Sequence, residues 1–285
     1  MKVIKKRNVI ATHVILILGS IIMLYPFAFA FLGMFVSVEG FYEVGIIPVP
    51  ESFKYMIENF QRIFSRGEIY RSVFLTFGRF VWYTVILSVT SVLGGYAFAK
   101  VNFVFKNVAF YILMSSMMIP GVAMLTPQYL MFADWGLTGK PIVLFITGCF
   151  SAYNIFLVRQ TLVGIGNEYQ EAASIDGAGF FRIVFEIYMP MLKPVLAVVV
   201  IQTFIGQWND YLFPMIFMRG RQEWYPIGVL SVAIQSDYIN TSYGGLYNYS
   251  VAMAMSVLMM IPPVVVYIIF QKSFVEGLTA GGVKA

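Results

Sequence analysis

The chain is short of charge. Of its 285 residues only 12% are Asp, Glu, Lys or Arg, about half the roughly 25% of an ordinary soluble domain. It has one cysteine, Cys149, and one histidine, His13. A lone cysteine excludes an intrachain disulfide and a cysteine-based metal cluster, and in apolar surroundings it packs as a small hydrophobe. One histidine excludes a His-rich metal site, and no catalytic triad can be assembled around it. No glycine-rich phosphate loop ending in Gly-Lys-Ser/Thr occurs either. What is present is apolar: 59% of residues, with a mean hydropathy of +0.79. A chain of this length cannot hide that much apolar surface around one aqueous core, so the surplus must face lipid. The net charge of +5 comes from dispersed Lys and Arg residues. That pattern fits membrane topology and excludes a nucleic-acid footprint.

Six apolar stretches approach the roughly 20 residues that span a bilayer core. They are about 11–36, 80–99, 108–130, 141–158, 189–213 and 249–270. The fifth is interrupted at its start by Pro190, Lys193 and Pro194. The first follows the basic start Lys2, Lys5, Lys6 and Arg7, and is too long for a signal peptide. With the N-terminus inside, the inner segments hold Lys2, Lys5, Lys6, Arg7, Lys100, Lys106, Arg159, Arg182, Lys193, Lys272 and Lys284. The outer ones hold Lys54, Arg62, Arg66, Arg71, Lys140, Arg219 and Arg221. Eleven against seven places both termini in the cytoplasm. Arg79 is left at a membrane boundary, where snorkelling to the outer surface would explain it. Residues 37–71, rich in both charges, are expected to form a small outer cap. The expectation is an all-α integral membrane protein of six transmembrane helices, with residues 1–285 forming one domain.

Between the fourth and fifth stretches lies the polar segment 166–185, opening Gly166-Asn167-Glu168-Tyr169-Gln170-Glu171-Ala172-Ala173-Ser174-Ile175-Asp176-Gly177-Ala178. Asn167 and Gln170 have the spacing of a capping box, and Glu168 and Glu171 suit the first turns of a helix. The spacing predicts a helix from about Glu168 that Gly177 stops, since glycine accepts the left-handed conformation of a helix end. A second helix then starts near Phe180 and leads toward Pro190. On physical features alone this elbow is either a loop on the headgroups or a docking knob for a cytoplasmic partner. Its small residues Ala172, Ala173, Ser174 and Ala178 permit close approach, and Glu171 and Asp176 supply charge.

Glu171-Ala172-Ala173, Asp176-Gly177-Ala178, then Phe185, Ile187 and Pro190 resemble the EAA loop of binding-protein-dependent ABC importer permeases, with Met189 where leucine commonly precedes the proline. Gly95-Tyr96-Ala97-Phe98-Ala99-Lys100, Met118-Ile119-Pro120, Trp208-Asn209-Asp210 and the tail Gly277-Leu278-Thr279-Ala280-Gly281-Gly282-Val283-Lys284 are similar to the carbohydrate-importing, maltose-type branch.

The resemblance implies a type I importer permease fold in a bacterial or archaeal inner membrane. It implies a second permease, giving a heterodimer, together with two nucleotide-binding ATPase subunits and an extracytoplasmic solute-binding protein. ATP and Mg would be bound by the ATPase, with no cofactor on this chain, which is then a transport subunit rather than an enzyme. Glu171, Ala172, Ala173, Asp176, Gly177 and Ala178 would couple to the ATPase, and Leu278, Thr279, Gly281 and Gly282 of the tail would reach it. The transported solute would be a sugar or oligosaccharide, with a polyol, amino acid or peptide as the alternative. A secondary transporter is the reading from another class, though such proteins want acids in several spans. Sugar recognition asks for aromatic faces beside amides and hydroxyls. Trp208, Asn209, Asp210 and Tyr211 supply them, as does the outer stretch with Tyr238, Asn240, Tyr243, Tyr247, Asn248 and Tyr249. Ordinary interfacial anchoring accounts for the tyrosines equally well.

Overall fold

The structure is a computed structural model and describes residues 6–240 and 246–280. Its regular elements are all helical. In chain order they are α1 (Lys6–Gly33), α2 (Phe53–Phe64), α3 (Glu68–Lys100), α4 (Lys106–Ser116), α5 (Gly121–Asp134), α6 (Val143–Ile146), α7 (Ala152–Val163), α8 (Glu168–Ile175), α9 (Phe180–Met191), α10 (Lys193–Asn209), α11 (Leu212–Phe217), α12 (Ile227–Asn240) and α13 (Tyr249–Ala280), joined by turns.

Three of these are long and apolar enough to cross a membrane unaided: α1, α3 and α13. Only 6% of the apolar window of α1 is buried within the chain, so most of its Ile, Leu and Phe side chains are exposed, as lipid contact requires. Two further spans are bent pairs. Helices α4 and α5 meet at 92° across the break before Gly121, and α9 and α10 meet at 81° across Leu192. Pro120, Pro190 and Pro194 lie at these breaks, where a missing N–H and a ring clash forbid a straight helix.

Two expectations are corrected here. The helix that carries the second apolar stretch begins at Glu68 rather than at Phe80. Residues 68–71 therefore belong to a long helix rather than to the outer cap. The stretch 141–158 is not one helix. It breaks after α6 into an extended Thr147 and a left-handed Gly148, φ +81°, before Ser151 caps α7. The carbonyls freed by that break need partners in a dry interior. One face of α3 supplies them. Arg79 Nε donates to Leu144 O at 3.2 Å, Trp82 Nε1 to Phe145 O at 2.7 Å and Thr90 Oγ1 to Cys149 O at 3.3 Å. The Tyr83 hydroxyl donates to Leu144 O at 2.9 Å and also to Thr147 O.

The chain divides into two compact units. The first takes the residues up to Ile69 together with Ser231–Pro262. In it, a Cβ at Gly33 would lie 2.9 Å from Met253 Cγ, so α1 and α13 approach closely. Beyond α1 it holds α2 and a short turn, Gly40–Glu43. Asn59 Nδ2 donates to Met34 O at 3.0 Å, and Arg66 pairs with Asp237 at 2.7 Å with its guanidinium 5.7 Å from the Tyr238 ring centre. Phe41 stacks on Tyr249, centroids 5.5 Å apart, and the Tyr247 amide donates to the Tyr42 hydroxyl at 2.6 Å. Tyr238, Tyr247 and Tyr249 thus have internal packing roles. The second unit, Tyr70–Leu230 with the chain from Pro263, contains the elbow and the residues singled out in α10.

Candidate functional site

Helix α8 starts at Glu168 and ends at Ile175. Gly177 has φ +77°. Its amide donates to Ser174 O at 3.1 Å, and that of Ala178 to Ala173 O at 2.9 Å. This pair of bonds is a Schellman motif, in which a left-handed residue lets the chain reverse and satisfy the last helical carbonyls.

The start of the helix corrects the capping-box expectation. Asn167 makes no side-chain cap bond. Its Oδ1 instead accepts from Lys100 Nζ at 2.8 Å, and Gln170 Oε1 accepts from the Tyr96 hydroxyl at 3.0 Å. Lys100 Nζ also donates to Ile165 O at 2.5 Å, lies 3.5 Å from Gly166 O, and sits 5.7 Å from the Tyr188 ring centre. The end of α3 therefore grips the elbow by its N-terminal turn. A charge-assisted bond of this kind is shorter and stronger than a neutral one.

Beneath the elbow lies a core made by Val92 and Tyr96 of α3, Val158 and Leu162 of α7, Ala173 of α8, and Ile183, Val184, Tyr188, Leu192 and Val195 beyond. Helix α3 approaches α7 so closely here that a Cβ on Gly95 would sit 2.5 Å from Val158 Cγ1 and 3.0 Å from Arg159 N. Residues Ile183–Tyr188 form a π-helical turn within α9, a wide turn that recurs at functional positions.

The residues expected to couple to a partner separate by face. Ala173, 8% exposed, packs into this core with Ala178 half-buried beside it. Of the small residues credited with permitting close approach, these two therefore face the chain's own core. Glu171, Ala172, Ser174 and Asp176 are exposed. Ile175 is 87% exposed and Tyr169 52%. Neither Glu171 nor Asp176 is ion-paired among the described residues. The elbow thus presents an acidic and apolar outer face on a rigidly anchored base.

The second group lies at the end of α10. Trp208 is 8% exposed and stacks on Phe204, 5.7 Å between centroids. Asn209 is exposed and donates to Ile205 O at 3.1 Å; Tyr211 is exposed too. Asp210 turns inward and accepts from Arg79 Nη2 at 2.6 Å. The Arg79 side chain is 2% exposed, so it does not snorkel. Burial without a partner would be prohibitive for it, and the carboxylate supplies that partner. Gly228 lies against this turn, where a Cβ would meet Asp210 O at 2.5 Å. The structure thus separates Trp208 and Asp210, which hold the fold, from Asn209 and Tyr211, which remain exposed. Tyr243, Gly281, Gly282 and the side chains of Leu278 and Thr279 lie outside the described residues.

Sequence reasoning flagged Arg79 and Asp210 separately and missed their pairing. The available signal was one cation and one anion, each alone in an apolar run. It gave Lys100 a topological role and a place at the end of a family-like motif, and nothing local marks it as the anchor of the elbow.

Residues 90–280 match the family described as binding-protein-dependent transport system inner membrane component. The chain is 30% identical to the arabinooligosaccharides transport system permease protein AraQ of Halalkalibacterium halodurans, over 80% of this chain and 79% of that one. It is 31% identical to the melibiose/raffinose/stachyose import permease protein MelC of Bacillus subtilis, over 84% and 83%. It is 30% identical to the sn-glycerol-3-phosphate transport system permease protein UgpE of Yersinia pestis, over 93% and 94%. The same fold is found in a solved bacterial ABC transporter involved in the import of the acidic polysaccharide alginate. That match has a TM-score of 0.84 and 24% identity, and covers 96% of this chain and 99% of the other. On the strength of its family match and these full-length relatives, the chain belongs to the inner membrane components of binding-protein-dependent transport systems, and is a permease subunit of an ABC importer.

Proposed function

We propose that this permease carries a sugar or oligosaccharide across a bacterial or archaeal cell membrane as half of a heterodimeric channel. One of two ATPase subunits docks on its elbow, and a solute-binding protein delivers from outside. The observation that carries the coupling part is the face of α8: Glu171, Ala172 and Asp176 point outward while Ala173 is locked into the chain's own core. A rigid, anchored helix transmits a displacement that a free loop would absorb. Glu171 and Asp176 supply charges for basic residues of the ATPase, and Gly177 and Ala178 hold the turn that aims them. ATP and Mg stay on the ATPase, and the tail with Leu278, Thr279, Gly281 and Gly282 forms a second contact to it. Asn209 and Tyr211, exposed at the end of α10, and Tyr243 are the residues proposed to line the solute path. Trp208 and Asp210 shape that path from behind. Relatives named for arabinooligosaccharides and for melibiose, raffinose and stachyose support a sugar.

The relative named for sn-glycerol-3-phosphate favours a second reading, a phosphorylated polyol. One experiment separates them. The tagged chain is purified from mild detergent with its partners, and ATP-dependent uptake into proteoliposomes is measured with the co-purified binding protein. Uptake of an oligosaccharide, with an ATPase and a second permease recovered, supports the proposal. Uptake of a phosphorylated polyol alone moves the substrate to the second reading. Activity of the lone chain without ATP would overturn both.

A further inference from the structure

At the same end of α3 as the elbow, a separate cleft of about 490 Å³ opens between α3, α4 and α7. Its polar lining comes from Asn102, Lys106, Asn107 and Arg159. Lys106 Nζ lies 3.4 Å from Ala99 O, and Arg159 is fixed by Nε donating to Phe98 O at 3.3 Å and Nη1 to Gln160 Oε1 at 3.2 Å. The guanidinium sits 4.2 Å from the Phe110 ring centre. Neither cation has a carboxylate within 4.0 Å among the described residues. Two cations held toward one cleft without an acid repel each other and favour an anion between them. Beside the cleft the chain turns through Phe105, which has φ +61°, the one non-glycine residue with positive φ among the described residues. That turn leaves Val104 79% and Phe105 76% exposed, with Val108 and Val163 also exposed.

We propose that this cleft binds the headgroup of an anionic glycerophospholipid. The phosphodiester lies between Lys106 and Arg159, Asn102 and Asn107 donate to its oxygens or hydroxyls, and the acyl chains run along Val104, Phe105 and Val108. The apolar rim selects a lipid over a free phosphate ion, because an ion would leave that surface in water. Basic pockets between membrane helices on the cytoplasmic side are where such headgroups bind. Since Gly95 packs α3 onto α7 just above, the bound lipid would brace the base on which the elbow stands.

The test uses the full-length chain purified with its partner subunits in neutral detergent. Dioleoylphosphatidylglycerol or dioleoylphosphatidylcholine is titrated in, and retained lipid is read by native mass spectrometry. With each cation contributing as surface Lys and Arg do, the phosphatidylglycerol preference is about thirtyfold. It is lost in the Lys106→Gln/Arg159→Gln variant and kept in Lys106→Arg. If the double variant fails to assemble, Lys106→Gln alone should lower the preference about fivefold. Equal retention of the two lipids by the unaltered complex would overturn the proposal. So would a preference that survives removal of the charges, or phosphatidylglycerol displaced by an excess of inorganic phosphate.

Discussion

Lys100, the last residue of α3, donates to the Asn167 side chain at 2.8 Å and to Ile165 O at 2.5 Å. One ammonium thereby ties a membrane-spanning helix to the turn that launches α8. Replacing Lys100 by Met removes these bonds and leaves the apolar stem in place. The expected result is a complex that still assembles and hydrolyses ATP, with solute moved per ATP reduced about tenfold. Uptake and ATPase rates measured in the same proteoliposomes check it, and Lys100→Arg should recover part of the loss.

Gly177 has open space around the position of a Cβ, so its substitution acts through the backbone alone. At φ +77° a β-branched residue is strained by about 1–2 kcal/mol, whereas Asn tolerates the left-handed region. Gly177→Val should weaken retention of the ATPase by the tagged chain by about tenfold, with membrane insertion unchanged. Gly177→Asn should bind nearly normally. Equal behaviour of the two variants would mean that the turn is not the determinant.

The Arg79–Asp210 pair predicts a non-additive result. Arg79→Met leaves a carboxylate with no cation to bond, at a cost on the order of 3 kcal/mol, while the double variant Arg79→Met/Asp210→Leu removes both charges and costs less. Thermal unfolding of the purified complexes should rank the double variant above the single one.

Two glycines in α3 make a paired control. Gly95→Ala drives a methyl into Val158 and the Arg159 backbone, and should destabilise by about 1–3 kcal/mol. Gly78, in the same helix, has nothing within 4 Å of a Cβ. Gly78→Ala should stabilise by about 0.5–1 kcal/mol through helix propensity. Melting temperatures that shift in opposite directions are the expected readout.

Local chemistry made the elbow's outline legible: acids in the first turn, Gly177 at the stop, small residues between. Its N-terminal anchoring was not legible, because Asn167 and Gln170 bond to Lys100 and Tyr96, some 67 and 74 residues away. The same holds for α3. Its first turns carry Glu68, Arg71, Ser72, Thr76 and Arg79, which read as polar. Yet Ser72, Thr76 and Arg79 are buried, and Arg79 is matched by an acid 131 residues later. The uncharged, largely apolar runs within α1 and α13 needed no such partner and stood out by composition. Pro190 and Pro194 announced the break between α9 and α10, but the size of that bend depends on packing. The stretch 141–158 had the length of a helix, and its division at Gly148 depends on donors from α3.

Between the elbow and the membrane interior, the chain is wound more loosely than a plain helix. The wide turn over Ile183–Tyr188 holds extra chain per turn, so every side chain beyond Tyr188 is rotated out of phase with those before Ile183. Tightening that turn into ordinary helix would rotate the remainder of α9 about its own axis without breaking the loops on either side. Because α10 leaves α9 at 81°, such a rotation would swing α10 sideways rather than turn it about its own axis.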